Sequence, residues 1–166
     1  MEIYQAASRQ DFEEVSNLTH EYLVWTKTQM EEQFKADMDI KSMLAYSMSD
    51  LKTYMPPEGR LLLVKIDSNV VGEVFLKQID VDTCEIKRVF VRPGYRGKRI
   101  GYHLLTNLIS GARDSGYSEI LLDSAKFMGH AHDLYKALGF KEIEKYSQSE
   151  VGGDFEAYMV FMSLTL

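Results

Sequence analysis

The stretch from Val89 to Ile109, VFVRPGYRGKRIGYHLLTNLI, limits most narrowly what this chain can fold into. Its first three residues are apolar and favour a strand. Its last third carries Ile100, Leu104, Leu105, Leu108 and Ile109, spaced as the apolar stripe of a helix. Between them lie Pro93, the glycines Gly94, Gly97 and Gly101, and the basic residues Arg92, Arg96, Lys98 and Arg99. A strand must end, the chain must turn, and a helix must start within a few residues. The first N–H groups of a helix have no acceptor inside it. They also carry the positive end of the helix dipole. Gly94 and Gly97 let a ligand approach the backbone without meeting a Cβ. Arg96, Lys98 and Arg99 add charge at the rim. The ligand expected at such a junction is a phosphate or pyrophosphate.

The remaining composition sets bounds around that junction. A chain of 166 residues is read as one domain, 1–166, able to bury a core without disulfides or a structural metal. Hydrophobic residues make up 45% and charged residues 27%, the mix of a globular protein. No apolar run reaches the roughly 20 residues of a membrane span. The opening MEIYQAASRQDFEE is acidic and lacks the apolar core of a signal peptide, so a cytoplasmic location is expected. Cys84 has no intrachain partner and is read as a buried, inert thiol. The formal charge of −6 argues against nucleic acid as a partner. Against that acidic background, the short basic cluster reads as a pocket for a small anion.

Read from the N-terminus, IYQAA is a short strand and Ser8 to Asp11 form a capping box. Phe12, Val15, Leu18, Tyr22 and Trp25 predict a first helix over about 9–30. A second helical stretch, DIKSMLAYSMSDLKTYM, is expected to run to the proline pair Pro56-Pro57. LLLVKI, VVGEVFLKQI and CEIKRVFV then read as an antiparallel meander. EIKRVFV breaks clean alternation, as a bulge would. A helix over 100–114, a strand EILLD, a helix near 130–138, FKEIEKY and a last strand EAYMVFMSL follow. SQSEVGGD between the last two is read as a mobile loop. Strand, helix and strand over 84–122 predict a parallel crossover. The expected class is α+β (mixed α/β): a mixed, twisted sheet with helices on both faces.

Neither the P-loop pattern G-x-x-x-x-G-K-[ST] nor the dinucleotide pattern G-x-G-x-x-G is present. The absent P-loop and Walker-type acid disfavour a nucleotide-dependent kinase. Arg96 to Gly101 instead resembles the coenzyme A motif of the GNAT superfamily of N-acetyltransferases, [QR]-x-x-G-x-[GA], with Arg99 where a glycine is common. AHDLYKALGF, Ala131 to Phe140, resembles the family's later helix, A-x-x-L-Y-x-x-x-G-F, with Met128 where an asparagine is usual. The resemblance covers about 84–146. It implies the GNAT fold and acetyl-CoA as co-substrate, with no metal. It implies direct attack by a primary amine on the thioester. The acceptor it leaves open is a small, amino-acid-like molecule, a protein N-terminus or a lysine. A homodimer is compatible with it.

The resemblance also suggests roles. Tyr135 is the candidate acid beside the coenzyme sulfur; on spacing alone it is a core-facing tyrosine. Glu85 is the candidate base for the amine proton; on strand geometry alone it pairs with Lys87, two residues along. Val89, Phe90 and Val91 would offer backbone to the pantetheine and the oxyanion. Arg96, Gly97, Lys98, Arg99, Ile100 and Gly101 would hold the phosphates. His130 and His132 are read as surface histidines, because H-x-H without further ligands is a weak metal signal. The rival from another class is a non-catalytic acyl-CoA sensor, which could dispense with Glu85 and Tyr135.

Overall fold

The computed structural model describes residues 1–166. One sheet of seven strands organises it. The strands are β1 (Glu2–Gln5), β2 (Arg60–Ile66), β3 (Asn69–Gln78), β4 (Thr83–Val91), β5 (Glu119–Ala125), β6 (Lys141–Ile143) and β7 (Met159–Thr165). Their order across the sheet is β1-β2-β3-β4-β5-β7-β6. Every neighbouring pair is antiparallel except β4 and β5, the parallel pair expected of the crossover. The connection between those two is α3 (Ile100–Asp114).

Alternation along the strands feeds two cores. Leu61, Leu63 and Phe75 point to the face covered by α1 (Arg9–Phe34), where Val15 and Leu18 meet them. Val64, Val74, Leu76 and Ile86 point to the opposite face. There α3 lays down Ile100, Leu104, Leu105, Leu108 and Ile109, the stripe read from the sequence. Tyr135 of α4 (Gly129–Ala137) joins that second core. Cys84 is fully buried in it, and burial raises its thiol pKa to about 12, as an inert thiol requires.

Helix ends follow local chemistry. Ser8 Oγ accepts from the Asp11 N–H at 3.1 Å, and Asp11 Oδ2 accepts from the Ser8 N–H at 2.8 Å. That reciprocal box starts α1, which runs one turn past the expected end. The second helix is shorter than expected: α2 covers Ile40–Ser49, and a 3-10 turn covers Leu51–Tyr54. The reason is local, since the Asp50 carbonyl accepts from both the N–H and the hydroxyl of Thr53. No helix is long and apolar enough to cross a membrane.

Candidate active site

Strand β4 pairs with β5 only over Thr83–Ile86, opposite Glu119–Leu122. Beyond Ile86 the two strands part. A bulge accompanies the parting: the register against β3 shifts between the Glu73–Phe90 and Phe75–Lys87 pairs, and Arg88 takes a left-handed φ of 55°. The broken alternation of EIKRVFV thus has a structural cause. The split opens a cleft of about 960 Å³. Val89, Phe90 and Val91 form one wall; Phe127, Met128 and Gly129 form the other. Trp25 reaches in from α1 and sits edge-on to Phe127, with ring centroids 5.4 Å apart.

The phosphate end of the cleft is the turn before α3. No backbone N–H from Gly97 to Tyr102 finds an acceptor in the protein. Gly97 has φ +78° and Arg99 φ +59°, so both hold the left-handed region. Arg99 therefore occupies a strained position that glycine takes freely. Gly97, Arg99, Ile100 and Gly101, the residues expected to hold the phosphates, all line the cleft. A Cβ on Gly101 would come 3.4 Å from the Leu134 side chain of α4, an ordinary van der Waals contact.

The basic residues separate in function. Arg96 donates from Nε to the Val91 carbonyl at 2.8 Å. Arg96 is exposed, and its guanidinium lies over Trp25 at 4.9 Å and over Phe90 at 5.7 Å. Lys98 lies over Tyr95 at 5.6 Å, outside the residues lining the cleft. Arg92 grips Glu21 of α1, with Nη2–Oε1 at 2.7 Å and Nε–Oε2 at 3.0 Å. It also donates to the Val70 carbonyl. Arg92 thus fastens α1 to the end of β4 and has no free fork for an anion.

On the α1 and α2 side of the split lies a buried polar network, of which the sequence disclosed only the Glu85–Lys87 pair. Glu85 has no solvent exposure. Lys87 Nζ stands 2.8 Å from its Oε1, and Tyr146 donates its hydroxyl to the same oxygen. Lys77 Nζ is 3.6 Å from Oε2, too far for a hydrogen bond, so Oε2 keeps an unused lone pair. Lys87 also reaches Asp123 Oδ2 at 2.6 Å. Burial alone would lower the Lys87 pKa; the carboxylates of Asp123 and Glu85 outweigh it and raise it. Burial, then Asp123 and Glu85, push the Tyr146 phenol far above its ordinary value. Lys77 continues the chain to Glu150. Residues 147–154, read as a mobile loop, are tied to this network by Glu150, which also accepts from Tyr46 of α2.

Tyr135 is 5% exposed and packs against Phe140 at 5.8 Å. Its hydroxyl has no hydrogen-bond partner among the protein's groups. Burial, then Tyr22 and Asp123, push its pKa above the ordinary phenol value. Tyr135 is therefore a core residue with a protonated hydroxyl; it is not itself among the residues lining the cleft, although its helix neighbours Ala131 and Leu134 are. His132 is not a surface histidine: it is 9% exposed, with Nε2 3.0 Å from Ser124 Oγ, and braces α4 on β5.

A mixed sheet split at its parallel pair, with a helix N-terminus aimed into the split, defines an acyl-CoA-dependent acyltransferase. Residues 12–140 match the profile of the Acetyltransferase (GNAT) family, and the chain belongs to that family. An uncharacterised N-acetyltransferase of Schizosaccharomyces pombe is 28% identical over 144 residues, covering 86% of this chain and 83% of that protein. An acetyltransferase of the GNAT family from Staphylococcus aureus superposes with a TM-score of 0.77 at 21% identity, over 99% of this chain and 98% of the other. The PaiA N-acetyltransferase of Thermoplasma acidophilum, solved in complex with coenzyme A, superposes with 0.75 at 20% identity over 100% of both chains. The enzyme uses acetyl-CoA as co-substrate. The residues present fit that molecule: an unpaired run of amides and Arg99 suit the pyrophosphate, and the open edge of β4 suits an extended polyamide such as pantetheine.

Proposed function

We infer that this chain, acting as one domain over 1–166, transfers the acetyl group of acetyl-CoA to the primary amine of a small, amino-acid-like molecule. The observation carrying this reading is the split itself, with free amides on one side and a buried carboxylate–lysine–tyrosine network on the other. In the reaction, the amine nitrogen bonds to the acetyl carbon, and the carbon–sulfur bond then breaks. Alkyl amines have pKa near ~10.4, so the acceptor has to shed a proton before it attacks. Glu85 is sealed from solvent and cannot touch a substrate in the cleft directly. Its part is to receive the proton through Tyr146 or water and to offset the positive charge that develops on the nitrogen. The backbone of Val89 to Val91 supplies N–H donors for the oxyanion.

Tyr135 attends the departing sulfur. A thiol is a stronger acid than a phenol with a raised pKa. Tyr135 therefore acts as a hydrogen-bond donor to the thiolate, while the sulfur's proton comes finally from the acylated amine. The test is thiol release from acetyl-CoA across a panel of primary amines, run with the wild type and Tyr135→Phe. Release that depends on an amine and falls in the variant supports the reading. Tight coenzyme binding with no release for any amine overturns it in favour of an acyl-CoA-binding module.

A further inference from the structure

Arg88 is a half-buried cation without a carboxylate, and among the lysines and arginines it alone has a buried nitrogen with no hydrogen-bond partner. Lys77, Lys87 and Arg92 each pair with at least one acid. Arg88 has none within ion-pair distance, in a chain with 25 acidic residues against 19 lysines and arginines. The unpartnered nitrogen is Nε. Nη2 donates to Ser47 Oγ at 2.8 Å, and this is the guanidinium's one hydrogen bond. Ser47 is itself buried, and its hydroxyl donates to the Met43 carbonyl at 2.9 Å, so Arg88 is held by a fixed strut of α2. The guanidinium lies 5.7 Å from the ring of Tyr22.

The backbone has been bent to put it there. Arg88 holds the bulge of β4 in a left-handed conformation that disfavours any side chain larger than hydrogen. Bulges beside active sites re-aim side chains. This one carries Arg88 to the α1–α2 side, the same side as Glu85 and Asp123, next to Val89 and Phe90 of the cleft wall. A desolvated guanidinium without an anion is costly, and its planar fork matches a carboxylate through two parallel hydrogen bonds. Glu73, the buried acid nearby under α1, does not fill that need. It forms no ion pair with Arg88, its Oε1 accepts from the Thr19 hydroxyl at 3.0 Å, and burial raises its pKa well above the usual carboxylate range.

We propose that Arg88, steadied by Ser47, binds a carboxylate on the acceptor, so that the enzyme acetylates amino acids in preference to uncharged amines. This rests on the acetyl-transfer reading above. The experiment compares matched acceptors, each amino acid beside its carboxamide, by kcat/KM from thiol release. The wild type should favour the acid at least tenfold, through KM. In Arg88→Gln, which keeps a donor for Ser47, that ratio should fall to about one, with KM for acetyl-CoA and the melting temperature unchanged. If wild-type enzyme acetylates amines with no preference for the acid, the carboxylate assignment is wrong and acetyl transfer stands. Should the preference survive in Arg88→Gln, another group reads the carboxylate. Should no amine be acetylated, acetyl transfer fails and this assignment with it. If Arg88→Gln does not fold, the wild-type ratio and that of Ser47→Ala decide, since loss of the strut should at least halve the preference.

Discussion

At the scale of single residues, the same burial that stabilises the core sets protonation states. Tyr135→Phe removes only a hydroxyl that has no partner in the protein, so the fold and coenzyme affinity should persist. kcat should drop roughly 10²-fold, together with kcat/KM, because the contact to sulfur exists mainly in the transition state. Turnover and melting temperature on the same variant check this; turnover within about threefold of wild type, with chemistry rate-limiting, would exclude the role. Because the phenol pKa is raised, Tyr135 stays protonated to high pH. The rise of kcat/KM with pH should therefore track the free amine and show no fall from Tyr135 below pH 10. Glu73 gives a second pH test. Its folded pKa lies above its unfolded value, so its contribution favours folding below about pH 4.5 and is lost as pH rises through and beyond that point. Glu73→Gln keeps the neutral shape and an acceptor for Thr19. Its melting temperature should match wild type at and below about pH 4.5 and exceed it at higher pH. An equal or lower value at every pH would mean that the folded pKa of Glu73 is not raised.

At the scale of elements, the turn into α3 sets two requirements against each other. Arg99→Gly relieves a left-handed side chain and should stabilise the free protein by up to ~1 kcal/mol, less the flexibility glycine adds to the unfolded chain. The same change removes a cation from the phosphate end and should weaken coenzyme binding by ~1 kcal/mol. Denaturant titration and calorimetry read the two effects separately; a loss of both stability and affinity would show that Arg99 has no strain to release. The elements were largely legible in the sequence, because their signals are local: the Ser8–Asp11 box, the stripe of α3 and the broken alternation of β4. The site was legible where a motif is contiguous, as from Arg96 to Gly101. It was not legible where partners are distant. Tyr146 meets Glu85 across 61 residues and Arg92 meets Glu21 across 71, and no pattern in either stretch announces the other. Asp123 is intermediate: an acid closing an apolar strand at a switch in sheet direction is a signal that could have been weighed.

At the scale of the molecule, a coenzyme bound along the open edge of β4, as proposed, would complete the sheet. Acetyl-CoA at about 100 times its dissociation constant should add ~2.7 kcal/mol to stability and raise the melting temperature by roughly 5–10 °C. Amides of Val89 to Val91 should gain the most protection from exchange, and a shift confined to the α3 turn would argue against strand-like binding. The parting of β4 from β5 has a mechanical meaning as well. The sheet is two leaves, β1 to β4 and β5, β7 and β6, stitched by a seam from Thr83 to Ile86. Because β1 and β7 belong to opposite leaves, tension applied between them loads that seam and the helices laid across it. A bound pantetheine acts as a rivet beyond the end of the stitching. Stiffness along this axis would then report whether the enzyme is loaded, before any chemistry takes place.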